Sequence, residues 1–235
     1  MITGTPVKPL LRFGGGSPPS TFCASKSCAL VRASGRRNFF AAAAARSKSA
    51  RASSASVCAH WLINSFQMYP PCGFSPSFSG LFPFYELCAQ YKAPVVVHIG
   101  PTSPALSFDT SNPFLLDEAA RKFPNVNFIM AHSAVSFTEE SAMMCAFRPN
   151  IYLDISGYQS SARAGGAGEA VKRVVSRGIN HKVLFGTDWP VFRLQGDQHS
   201  FVEAIISEDG PLSDLSETEK ALILRGNAER LLGSA

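Results

Sequence analysis

Five short apolar runs recur along the chain, each followed by a segment with helical patterning, and this alternation limits the possible folds more than any other feature. The runs are Leu62–Tyr69, Pro94–Ile99, Val126–Ala131, Ile151–Ile155 and Lys182–Thr187, all rich in the β-branched or aromatic residues that suit strands. Between and after them lie helix candidates with recognisable ends. Leu81–Lys92 is amphipathic, and Asn112-Pro113 supplies a cap and a first-turn proline for a helix through Lys122. Thr138 is expected to cap Glu139–Phe147, and Glu169–Arg177 stops at Gly178. His199–Glu208 follows, and Ser216–Arg225 opens with the capping box Ser216-x-x-Glu219. Single helices between strands return the chain to the same end, so neighbouring strands are expected to be parallel and the class α/β. Runs with little polar alternation are expected to be covered on both faces. Pattern alone leaves a doubly wound sheet and a barrel both open, and the patterned part, residues 61–235, is shorter than the about 250 residues of a complete (β/α)8 barrel.

The chain divides by charge. Residues 1–59 hold nine Lys or Arg and no acid, the first acidic residue being Glu86, whereas the remaining 176 residues hold 13 basic against 17 acidic ones. The formal net charge of +5 is therefore a property of the leading segment, and it argues for no nucleic-acid partner of the folded body. Arginines among alanines and serines in Arg32–Ser56 have the composition of an organellar transit peptide; a disordered basic tail, or non-native sequence from a mis-assigned start, is the other reading. The expected location is cytoplasmic, or organellar if that segment is a transit peptide. No apolar run approaches the roughly 20 residues of a membrane-spanning helix, so no membrane partner is expected. The cysteines Cys23, Cys28, Cys58, Cys72, Cys88 and Cys145 form no CxxC pair and read as reduced thiols.

Three polar residues stand where a strand runs out into its following loop: His98 after PVVV, His132 after FIMA and Asp188 after VLFGT. In parallel α/β folds the carboxyl ends of the strands carry the ligand site, because the loops there converge. Imidazole and carboxylate suit zinc or a similar divalent ion. Taken singly, each residue has an ordinary reading: a hydrogen-bonded histidine for His98 and His132, a turn residue before Pro190 for Asp188. Together they point to one shared site. Asp154, inside YLDISG, reads as a structural hydrogen-bonding residue, and Arg193 as a solvated loop arginine rather than an anchor for a substrate carboxylate.

The phrases FQMYPPCGFSP (66–76), LFPFYELCAQYKAPVVVHIG (81–100), NVNFIMAHS (125–133), NIYLDISG (150–157), KVLFGTDWP (182–190) and GNAERLLG (226–233) resemble the amidohydrolase-related family, whose metal-dependent branch includes hydrolases and the aminocarboxymuconate-semialdehyde and resorcylate decarboxylases. The resemblance implies an incomplete TIM-type (β/α)8 barrel, roughly its second half, over residues 60–235, with metal at the carboxyl ends of the strands. It implies that His98 resembles the fifth-strand metal ligand, His132 the sixth-strand histidine that binds metal or contacts substrate, and Asp188 the eighth-strand aspartate that binds metal and accepts a proton. Catalysis would then rest on Asp188 and His132.

The chain also departs from that pattern. No His-x-His pair occurs, His60 is the one histidine before His98, and Gln67 stands where two-metal members use a carboxylated lysine. The expected activity is metal-dependent hydrolysis of a small-molecule ester, lactone or amide, with zinc as the expected metal. The alternatives are decarboxylation of an aromatic or unsaturated acid, or an inactive, truncated member of the family. A half-barrel leaves an open edge, so a homo-oligomer or a complementing N-terminal half is the expected protein partner.

Overall fold

A computed structural model of the chain describes residues 65–159 and 166–232. Residues 1–59, His60 and the start of the run at Leu62 lie outside the described residues. Strand β1 is Phe66–Met68, β2 Val95–His98, β3 Phe128–Ala131, β4 Ile151–Asp154 and β5 Val183–Leu184. They form one parallel sheet in the order β1-β2-β3-β4-β5. Strand order that follows chain order without reversal has no switch point, so it is an arc of a barrel rather than a doubly wound sheet. All five expected strands are present, each shorter than its apolar run.

Helices α1 (Phe82–Tyr91), α2 (Asp117–Lys122), α3 (Thr138–Phe147) and α4 (Gly166–Val175) follow β1 to β4, and α5 (Gln198–Ile206), α6 (Glu217–Ala221) and α7 (Asn227–Leu232) follow β5. The expected cap at Asn112 is present: its side chain accepts the Phe114 N–H, and a short 3-10 turn, Pro113–Leu116, leads into α2. The Ser216–Glu219 capping box is also present. Two expectations need correction. Thr138 is not the cap of α3; Phe137 occupies that position with φ +53, and the Thr138 hydroxyl donates back to the Ala134 carbonyl. Nor is the segment after Ser216 one continuous α-helix, because a wide turn at Leu222–Gly226 separates α6 from α7 and sends the Ile223 carbonyl to the Phe185 N–H beside β5.

Burial alternates along the strands, so covering on both faces does not hold among the described residues. Phe66, Met68, Val95, Val97, Phe128, Met130, Ile151 and Leu153 are buried, whereas Gln67, Val96, Ile129 and Tyr152, aligned across the register, are only half-buried. The first row packs with Tyr85, Leu116, Ala142 and Val171 from the helix layer. The second row belongs to the concave face of the arc, which no helix among the described residues covers. His98 and Asp154 lie two residues beyond Val96 and Tyr152, so strand alternation puts them on that concave face, at its carboxyl end.

Amide and ammonium side chains hold the arc together where helix ends meet strand starts. Asn150 Nδ2 donates to the carbonyls of Ala120, Phe123 and Val126 at 2.9–3.1 Å, locking the end of α2 to the start of β4. Lys182 Nζ reaches the carbonyls of Cys145 and Arg148 at 2.5 and 2.6 Å, satisfying the end of α3. Asn227 Nδ2 donates to Asn180 and Val183, both at 2.7 Å, which ties α7 to β5. Removing such a donor leaves buried carbonyls without partners. Asn150→Ala is therefore expected to cost about 2 kcal/mol or more, read as a lowered urea midpoint with an unchanged slope.

Candidate functional site

Three consecutive valines drive β2 and deliver His98 as its last residue. The imidazole is buried, its Nε2 donates to the Pro101 carbonyl at 2.9 Å, and its ring lies 4.3 Å from that of Tyr69. Tyr69 in turn shares a hydrogen bond of 2.8 Å with Thr102, so the end of β1 and the loop after β2 clamp His98 from two sides. Burial, reinforced by the neighbouring His132, pushes His98 down to about 4. His98 is neutral throughout the physiological range, the form in which imidazole binds a metal or accepts a hydrogen bond.

Register sets the next residue. His98 pairs with Ala131, so His132 follows one position later, and the two rings meet edge to face at 4.9 Å. His132 and Asp188 both adopt left-handed backbone, φ +61 and +50, a conformation costly for residues other than glycine and concentrated at functional sites. Asp188 is half-buried, and its carboxyl is raised by burial while His132 pulls it back. Gln159 Nε2 donates to the Thr187 carbonyl at 3.2 Å and so holds the backbone next to Asp188. His98, His132 and Asp188 thus gather at one end of the sheet.

Two residues at this end were not recognised from sequence as belonging to it. Asp154 does form structural hydrogen bonds, as its strand position suggested, accepting from Ser156 N at 2.6 Å and from Ser156 Oγ at 2.7 Å. Its carboxyl also senses both His132 and Asp188: burial raises it first, Asp188 raises it further, and His132 and the Ser156 donors oppose them. Ser156 reaches His132 Nδ1 with its Oγ at 2.9 Å. The signal was the spacing in YLDISG, which places Asp154 and Ser156 on the same side of the extended chain. Arg193 is exposed and donates to the Pro190 carbonyl, so it stays apart from the cluster.

Two glycines allow this closeness. A Cβ on Gly186 would lie 2.9 Å from Asp154 Oδ1 and 3.1 Å from Ser156 Cβ, and one on Gly157, at φ +84, would lie 3.4 Å from His132 Nδ1. The donor types suit a divalent metal, but the number does not: among the described residues no group of three or more His, Cys, Asp or Glu side chains is arranged to hold one. His98 and His132 therefore do not complete a metal site within the described residues.

A family model described as Amidohydrolase matches residues 29–234. The chain belongs to the amidohydrolase family. The match reaches upstream of the quoted phrases, into the basic segment. Members of the superfamily are generally metal-dependent. Among curated proteins, the amidohydrolase chain is 30% identical over 66 residues to Protein fluG of Emericella nidulans, covering 28% of the chain and 8% of fluG. Among solved structures, it is similar to an uncharacterised TIM-barrel protein of Bordetella bronchiseptica, with TM-score 0.57, 22% identity and coverage of 73% of this chain and 57% of that one. It is also similar to a dihydroorotase of Campylobacter jejuni, with TM-score 0.51, 18% identity and coverage of 75% and 60%. The amidohydrolase chain thus spans about three-fifths of those structures and shares their fold, with five parallel strands described. No helix among the described residues is long and apolar enough to cross a membrane.

The packing against Asp154 makes Gly186→Ala destabilising by about 1–3 kcal/mol. Gly168→Ala, in α4 with nothing within 4 Å, is expected to add about 0.5–1 kcal/mol; thermal melts of the two variants should move in opposite directions. His98 gives a pH signature as well. Its folded value near 4 lies below the ordinary 6.5, so between those values the unfolded chain binds more protons and stability falls as pH falls. In metal-free buffer, His98→Gln is expected to flatten that part of the curve of urea midpoint against pH.

Proposed function

We propose that the chain carries part of the active site of a hydrolase acting on an ester, lactone or amide of a small molecule. The observation that carries this reading is the convergence of His98, His132 and Asp188 at the carboxyl end of a parallel sheet, in a member of a family named for amide hydrolysis.

Hydrolysis needs a base for the attacking water and a partner for the oxygen on which charge develops. Asp188 is the proposed base. Burial moves its carboxyl up, which makes it a better proton acceptor. His132, braced at Nδ1 by Ser156, has its Nε2 lone pair left to help hold a divalent ion, and that ion would be the partner of the substrate oxygen. Apolar side chains in the loops after β2 and β5, namely Phe108, Trp189 and Val191, are exposed and offer surface to an apolar part of the substrate. His98, His132 and Asp188 are also the proposed contribution of this chain to a divalent metal site, with zinc the metal that the donor types favour. The remaining ligands would come from outside the described residues, in this chain or in a complementing half.

Calorimetric titration with zinc, beside hydrolysis of aryl esters and lactones, tests the proposal on the full chain. Wild type is expected to bind zinc weakly and to hydrolyse at least one ester or lactone. Asp188→Asn should lower kcat/KM by about 10²- to 10⁴-fold, and His98→Ala combined with Asp188→Asn should abolish zinc binding. Equal zinc binding and equal turnover in wild type and variants would remove these residues from the site.

A further inference from the structure

We propose that Asp154 and Ser156 are positioning residues that fix His132 as its Nδ1–H tautomer, so that the lone pair on Nε2 is what this histidine presents. Hydrogen-bond direction leads there. Ser156 Oγ lies 2.7 Å from Asp154 Oδ2 and 2.9 Å from His132 Nδ1. A hydroxyl has one proton to give, and the Ser156 hydroxyl donates it to Asp154 Oδ2. The Ser156 proton therefore goes to Asp154, and the contact with His132 is made by a lone pair of Oγ, to which Nδ1 donates. A second acceptor faces the same nitrogen: the Ser156 carbonyl oxygen is 3.3 Å from Nδ1, and a carbonyl has no proton to offer.

The carboxylate is itself fixed in place. Ser156 N–H donates to Asp154 Oδ1 at 2.6 Å and its hydroxyl to Oδ2 at 2.7 Å, so one serine engages both oxygens. Gly186 packs against this carboxyl, where a Cβ would lie 2.9 Å from Asp154 Oδ1. The order is carboxylate, hydroxyl, imidazole, with each proton pointing towards Asp154. The tautomer of an imidazole is set by the partner of its other nitrogen, and proton on Nδ1 makes Nε2 an acceptor, a base or a metal donor. This inference concerns the same site as the proposed hydrolase but requires no turnover, so either can fail without the other.

Long-range proton–nitrogen NMR spectra of the full chain, with labelled histidine rings at mildly alkaline pH, report the tautomer directly, and His132→Gln assigns the signals. In the wild type, His132 is expected to show Nδ1 in the protonated range and Nε2 in the unprotonated range. Asp154→Asn places an amide donor opposite Ser156 Oγ, which turns the hydroxyl proton towards His132; its ring shifts should then move towards the Nε2–H tautomer. Ser156→Ala should bring the two ring shifts closer together than in the wild type. A wild-type His132 protonated on Nε2 overturns the proposal even if neither variant folds. So does a tautomer that Asp154→Asn leaves unchanged.

Discussion

Parallel register between β2 and β3 is the constraint on which the site depends. Because His98 stands opposite Ala131, the first residue beyond β3 must emerge beside it, and His132 does so with its ring 4.9 Å away. A slip of one residue would turn His98 to the helix-covered face. Register is held by the buried row on that face, Val95 and Val97 against Phe128 and Met130, whose removal from water rewards one alignment only. Core packing on one face of the sheet thus sets the distance between polar groups on the other.

The two faces divide the work of the molecule. The helix-covered face is closed by apolar packing and by side chains that satisfy helix ends: Asn150 on α2, Lys182 on α3 and Asn227 beside β5. The concave face carries half-buried Gln67, Val96, Ile129 and Tyr152, and at its carboxyl end the polar cluster. In a closed barrel such a row is interior packing. The chain spans about three-fifths of the solved TIM-barrel structures it resembles, and among the described residues this row lies along an arc of five strands.

Within the cluster, electrostatics and backbone shape support one another. Two carboxyl groups, Asp154 and Asp188, face His132, and burial raises both. Asp154 accepts from the Ser156 N–H and hydroxyl, whereas Asp188 is held down by the neighbouring His132, which suits Asp188 to exchange a proton and Asp154 to hold a partner in place. Left-handed backbone at His132 and Asp188 turns both side chains out of the strand direction, and the two glycines let their loops approach.

Much of this was legible from residue order. Five apolar runs, the Asn112 and Ser216 caps, and His98, His132 and Asp188 at strand ends all follow from local chemistry, because propensity, capping and strand alternation act over a few residues. The amidohydrolase resemblance likewise rests on short phrases. Thr138 as a cap failed for a local reason, since its hydroxyl found the Ala134 carbonyl one turn earlier. Tertiary structure alone decided that the strands follow one another in an arc, that one face stays half-covered among the described residues, and that Asp154 and Ser156 belong with His132 rather than only with their own strand. These depend on register and on contacts between residues 23 or more positions apart, such as Phe128 with Ile151 and Ser156 with His132, which no local pattern encodes.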